Sequence, residues 1–281
     1  MPDQPAEQPA DAVKLRLGGM ALRNGLLVHG PTRWAAAIRL PGGGLRVASG
    51  RKPRLRALDG VPGARGLARL GEALAVLPLL KRELPDARLP FESASVAGAA
   101  AVAAAAGGLL RRAAPGVVSD AANGALALAP SLLALRDGEL AAYHGAEHKA
   151  IGAYEHGAAD ARDAPKEHDR CGSNLIAPLV ACNVLGAALV RRAGARPGPV
   201  AGGVVALASM AAAVEIFGWS ERHSETRLAR ALRRPGHALQ KALGTREPDE
   251  RQLEVGRAAL AEILRVEHPD ARTEGAVQEC R

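Results

Sequence analysis

Four stretches of this chain run, almost without charge, for close to the roughly 20 residues that a bilayer core requires. They are Ser93 to Leu110, Ala113 to Leu135 interrupted only by Asp120, Gly172 to Val190, and Gly198 to Val214, which Glu215 closes. Arg111 and Arg112 form a short turn between the first two, and Arg191 to Pro197 form one between the last two. The pattern predicts an α-helical integral membrane protein with about four transmembrane helices arranged as two hairpins. Ala and Gly dominate the runs and are only weakly apolar, so a soluble Ala-rich bundle is the competing fold. Repetition favours the membrane, because four runs near the spanning length are uncommon in a soluble domain so charged elsewhere. Small residues also let helices pack closely in lipid.

Charge predicts an orientation. Lys and Arg concentrate before Ser93, between Arg136 and Arg170, and after Trp219, with only Arg111, Arg112, Arg191, Arg192 and Arg196 in the two turns. By the bias of positive residues toward the cytoplasm, a multi-pass protein of the cell membrane is expected, with both termini and the central loop inside. The formal charge of +8 suits an anionic lipid surface or nucleic acid. Nucleic acid is disfavoured: no aromatic residues interleave with the basic cluster Arg51, Lys52, Arg54 and Arg56, and acidic residues dilute the basic tail. Membrane lipid is the expected partner, with Arg227, Arg230, Arg233 and Arg234 just past the last run. Three cysteines, Cys171, Cys182 and Cys280, show no disulfide spacing.

The remaining sequence divides around these runs. Residues 1–12, acidic and Pro-rich, read as a disordered tail. Residues 13–90 read as a small cytoplasmic unit. In it Trp34–Leu40 and Leu45–Ser49 flank Pro41-Gly42-Gly43-Gly44 as a β-hairpin, Leu15–Val28 adds a strand, and Gly66–Leu84 forms an amphipathic helix. Residues 91–219 form the membrane domain, with a His-rich cytoplasmic loop at 136–171. Residues 220–281 form a cytoplasmic helical tail broken at Pro235-Gly236, whose second helix carries Leu253, Leu260 and Leu264 toward the soluble unit.

The chemistry concentrates in Tyr143-His144-Gly145-Ala146-Glu147-His148-Lys149. On a helix, His144, Glu147 and His148 fall at i, i+3 and i+4, so two imidazoles and a carboxylate share one face. Two His one turn apart can reach a single Zn²⁺, and the Glu between them can act as base toward water, the arrangement of H-x-x-E-H zinc hydrolases. Glu167-His168-Asp169-Arg170-Cys171 returns the chain to the same membrane face just before the third run, and Glu215 ends the fourth run there. The candidate metal ligands are therefore His144 and His148 with one or two of His168, Cys171 and Glu215, for a divalent metal, Zn by preference, with Glu147 as catalytic base. Each has a structural alternative: Cys171 as a small buried residue, Glu215 as the ion-pair partner of Arg222 or Arg227.

Tyr143–Lys149, Arg170-Cys171-Gly172-Ser173, the Glu215 segment, Arg246–Val255 and the opening Gly18–Pro31 together resemble the YqhQ-like family of bacterial membrane proteins, domain of unknown function 1385. The resemblance spans about Leu17 to Leu264 and implies a membrane protein of a family described as predicted metal-dependent enzymes. The chain departs from the family pattern at Met20, Asn24 and Leu27-Val28-His29, where the family usually has Gln, Glu and Met-Met-Arg. Asn24 cannot serve as acid or base but its amide can orient a ligand, and His29 offers an imidazole instead.

Two classes of function follow. One is a membrane-embedded metal-dependent enzyme, hydrolytic by its motif, acting at the cytoplasmic face on a substrate that the motif does not name. The other is a non-enzymatic membrane scaffold whose metal or His cluster is structural.

Overall fold

The computed structural model describes residues 14–268 apart from 59, 62, 114–115 and 195–198; the 1–12 tail, Cys280 and part of the second hairpin turn lie outside the described residues. Four strands, β1 (Gly18–Leu22), β2 (Gly25–His29), β3 (Arg33–Arg39) and β4 (Leu45–Arg51), form an antiparallel meander in chain order. The expected hairpin is β3–β4, while Leu15–Val28 gives two strands rather than one, because Arg23-Asn24 turn the chain.

Apolar residues on both faces of β2 and β3 place this sheet between two layers of helix. α1 (Ala64–Leu74) and α2 (Val76–Glu83) replace the single helix expected over 66–84. The break has a local cause: Pro78 has no amide hydrogen for the Leu74 carbonyl, so a new helix starts with Pro in its first turn. α2 covers one face, where Leu22, Leu27, Trp34, Ala36 and Ile38 meet Val76, Leu77 and Leu80. α6 (Gly138–His156) and α10 (Glu250–Glu267) cover the other, where Leu26, Val28, Ala35 and Ala37 meet Leu140, Tyr143, Ile151, Val255 and Ile263. Thus the segment expected as a His-rich loop between membrane hairpins begins as a helix built into this core. α10 packs on the sheet through Val255, Ala259 and Ile263.

The apolar runs form α3 (Ala94–Ala113), α4 (Val117–Ala127), α5 (Ala129–Leu135), α7 (Ile176–Arg192) and α8 (Pro199–Arg222). α4 and α5 are one run bent at Leu128, since Pro130 cannot bond the Leu126 carbonyl. Three stretches, Val117–Leu135, Gly172–Arg192 and Val200–Arg222, are long and apolar enough to cross a membrane; Ala94–Leu110 is shorter. Only 11 % of each of the three windows is buried, with Val118, Leu185, Val200 and Leu207 exposed. A soluble bundle would hide these side chains, so the exposed belt favours lipid over the competing fold. α7 and α8 pack against one another, with Gly186 against Val205.

α9 (Arg227–Leu239) continues through Pro235 instead of ending there and passes into a π-helical turn, Gln240–Gly244. Packing explains the continuation: Gly236 lies against the backbone of Asn174, where no side chain fits.

Candidate metal centre

α6 starts where the Asp137 side chain accepts a hydrogen bond from the Glu139 amide at 3.2 Å, and it ends at Gly157, whose φ of 70° suits glycine. Between these caps the helix turns Glu147 and His148 into the interior, where both are buried, with His144 half-buried beside them. The loop after the helix brings Cys171 back over them, with its Sγ 3.4 Å from His144 Nε2. One ligand atom from each of His144, His148 and Cys171 lies within 4.8 Å of the other two.

The tautomers follow from hydrogen bonds. His144 Nδ1 lies 2.7 Å from the Gly244 carbonyl and His148 Nδ1 lies 2.6 Å from the Lys166 carbonyl. A carbonyl only accepts, so each Nδ1 carries a proton and donates, and in the neutral ring the lone pair is on Nε2. Metal-binding histidines are commonly held this way. Burial, then the neighbouring His144, pushes the His148 pKa far below the ordinary imidazole value, so it stays neutral. Burial raises the Cys171 thiol, which Ser173 partly offsets. Burial also raises Glu147 to about 7, against the lowering effect of His144, with Cys171 adding to the rise. Its carboxylate packs on Gly19 of β1, where any larger residue would collide with it.

Two of the expected ligands stand elsewhere. His168 is a neighbour, its ring 5.6 Å from that of His148, but both its nitrogens are engaged. Nδ1 accepts from the Arg170 amide at 3.3 Å, which leaves Nε2 to donate to Glu155 at 3.0 Å. Glu215 is taken by Arg65 in a two-pronged ion pair, at 2.9 and 2.5 Å, and accepts from the Gly63 amide at 3.1 Å. Its structural alternative therefore has a partner that the sequence reading did not name, Arg65 rather than Arg222 or Arg227. Asn24 is a turn clamp: it donates to the carbonyls of Arg39 and Asp86 and accepts from the Arg88 amide. Lys149 of the motif is a buried strut, donating to the carbonyls of Arg162 and Ala164 and pairing with Glu247.

His29 ends β2, against Gly18, and is also outside the cluster. Burial, then Lys52, lowers its pKa to about 4, partly opposed by the Gly30 backbone. The unfolded chain takes up this proton below about pH 6.5 and the folded chain only below about 4, so stability falls as pH drops through that window. The loss reaches about 3 kcal/mol at its acid end. Melting temperatures of detergent-purified protein between pH 4 and 7 are expected to show this slope, and His29→Gln to flatten it.

Support for the cluster comes from the π-turn, which had no signal in the sequence. Gln240 is fully buried; its Oε1 accepts from the His168 amide at 2.8 Å, and its Nε2 donates to the His168 carbonyl at 3.2 Å and to Ser173 Oγ at 2.8 Å. It thus fixes the loop that carries Cys171 to the turn whose Gly244 carbonyl holds His144. Gln240→Ala is expected to weaken metal binding about 10- to 100-fold, as losses around a first coordination shell do, measured by competition with a zinc chelator.

Residues 139–266 match the model of a family described as "Protein of unknown function (DUF1385)". This segment belongs to the DUF1385 family. Neither the curated proteins nor the solved structures gave a match. The DUF1385 segment begins at the second residue of α6 and ends one residue before the end of α10, so it contains His144, Glu147, His148, Cys171 and Gln240. The sheet on which it closes, residues 18–51, lies outside the matched range.

Proposed function

We propose that this protein is a metal-dependent membrane enzyme, hydrolytic in type, whose centre is His144, His148 and Cys171 with Glu147 as base. The observation that carries the reading is the pair of Nδ1 anchors, which leave Nε2 of each ring as the nitrogen without a carbonyl partner, His144 Nε2 lying beside the Cys171 sulfur. Two imidazoles and a thiolate form a donor set suited to Zn²⁺, and three protein ligands are the number that catalytic zinc sites use. When bound, the metal supplies Lewis acidity. The Gly244 and Lys166 carbonyls orient the imidazoles, and the Glu147 carboxylate, on the same helix face and shielded from water, holds and passes a proton. Lys149 and Gln240 fix the loops on either side.

Membrane position belongs to the same reading. α3 pairs with α4 and α5, and α7 with α8, so two hairpins emerge from a layered unit, which supports four spans with both termini on the site's side. The Lys and Arg distribution makes that side the cytoplasm.

The test is metal content after reconstitution with Zn²⁺. About one ion per chain is expected in the parent and in Glu147→Gln alike, because Glu147 is a base and not a ligand. The parent should hydrolyse a member of an ester, amide and phosphoester panel that Glu147→Gln leaves intact. Metal lost with Glu147→Gln would make that residue a ligand; metal bound with equal hydrolysis by both forms would remove its role as base.

A further inference from the structure

α1 does not turn its apolar stripe into the sheet. Leu67, Leu70 and Leu74 fall at i, i+3 and i+7, the spacing by which an amphipathic helix covers a core. α2 covers that face of the sheet instead, and Leu70 and Leu74 are exposed. So are Leu58 and Val61, in the chain that leads into α1. Large apolar side chains gathered on a surface mark a place where something else is bound.

The direction of the stripe says what covers it. Gly66 lies one turn before Leu70 on the same face and sits against Val214 of α8, where a larger residue would collide. The Gly63 amide and the Arg65 guanidinium both hold Glu215, the residue that closes the uncharged run of α8. The stripe therefore starts on α8 at the level where its uncharged run ends and continues past it, along the lipid-facing flank of that helix. Charge agrees with lipid. Between Arg51 and Leu74 the sequence has six Lys and Arg against two carboxylates, Asp59 and Glu72. Glu72 is buried and accepts the Leu55 amide at 2.6 Å, and among the described residues no carboxylate pairs with the exposed Arg56 or Arg69. Burial lowers the pKa of Lys52, Glu72 opposes the fall, and Arg54 and Arg69 add to it, so cations gather on one flank of α1.

We propose that α1 and the turn before it form an in-plane membrane anchor, with Leu58, Val61, Leu70 and Leu74 seated beside α8 at the boundary of headgroups and acyl chains, and Arg56 and Arg69 on anionic headgroups. The anchor rests on the membrane reading of α8. Amphipathic helices that lie in this plane bury their apolar face about 5–10 Å into the boundary, and basic residues at the surface strengthen the attachment to anionic lipid.

The experiment places a tryptophan reporter in the full chain, reconstituted into nanodiscs whose acyl chains carry bromine as quencher. Leu74→Trp reads the stripe, and Leu207→Trp, exposed on α8, reads whether that helix lies in lipid. The parent is the reference, since its Trp34 and Trp219 are common to all forms. Both variants are expected to be quenched beyond the parent, Leu74→Trp more strongly when phosphatidylglycerol replaces part of the phosphatidylcholine at equal bromine content. Arg56→Gln/Arg69→Gln should remove that difference between lipids, and so should high salt. Quenching of Leu207→Trp without Leu74→Trp would overturn the anchor while leaving α8 in the membrane, and two chains per disc in that case would give the stripe to a second copy. Quenching of neither would overturn the membrane reading and the anchor together. Quenching of Leu74→Trp that is equal in both lipids, or a lipid difference that the double variant retains, would overturn the assignment of Arg56 and Arg69 to anionic headgroups.

Discussion

His148→Ala is expected to release the metal, lowering affinity by well over the roughly 100-fold that marks loss of an outer-shell partner. The variant removes one of three donors, and the remaining pair, His144 and Cys171, is an incomplete set for tetrahedral Zn²⁺. The fold is also expected to weaken. His148 is 2 % exposed, packs its ring 4.3 Å from that of His144, and satisfies the Lys166 carbonyl. Losing the ring and leaving that carbonyl unmet costs about 2–4 kcal/mol. Ligand linkage separates the two effects. In the parent, Zn²⁺ at about 1,000 times its dissociation constant adds about 4 kcal/mol of stability, so a melt with and without metal shifts upward. In His148→Ala the melt should start lower and not move when metal is added. A variant that still shifted would exclude His148 as a ligand, whatever its effect on stability.

The reach of the sequence can be judged residue by residue. His144, Glu147 and His148 were legible because helical periodicity alone puts them on one face, and Cys171 because its loop had to return to the start of the third apolar run. Glu215 stands apart from the cluster for a physical reason: a carboxylate at the end of an apolar helix needs a cation, and sequence order does not reveal that Arg65, 150 positions earlier, supplies it. His168 lies next to the cluster with both ring nitrogens engaged, contacts of a kind that spacing cannot encode. Gln240 and the Gly244 carbonyl were invisible for a stronger reason, since a backbone carbonyl carries no residue identity and the π-turn has no compositional mark. The layered core was half legible. Two short runs around the Gly-rich turn marked β3 and β4, but helical periodicity in 138–156 shows no single apolar stripe, because α6 is covered on nearly every side: by the sheet and α10, by the loop carrying Cys171, and by the turn at 244–248.

That last contact sets the other large expected effect, Gly145→Ala. Gly145 sits between His144 and Ala146 where α6 meets the chain leaving the π-turn, and a methyl group there would overlap the Arg246 carbonyl and touch Pro248 at 3.4 Å. Neither neighbour can yield like a flexible side chain. The Arg246 amide is bonded to the Ala141 carbonyl at 2.9 Å, and Asp249, next in the chain, caps α10 through Gln252. Overpacking against fixed backbone costs about 3 kcal/mol or more, which offsets several times over the roughly 1 kcal/mol by which Ala is the better helix former. Gly71→Ala is the internal control. Gly71 lies exposed in α1 with nothing near its missing side chain, so the same substitution there should stabilise by about 0.5–1 kcal/mol. Denaturation of the two variants beside the parent should therefore move in opposite directions. Because the Gly244 carbonyl holds His144 just beside this contact, Gly145→Ala should also loosen metal binding, and Gly71→Ala should leave it untouched. Equal stability in both variants would mean that α6 does not approach the 244–248 turn this closely, and the orientation assigned to His144 would fall with it.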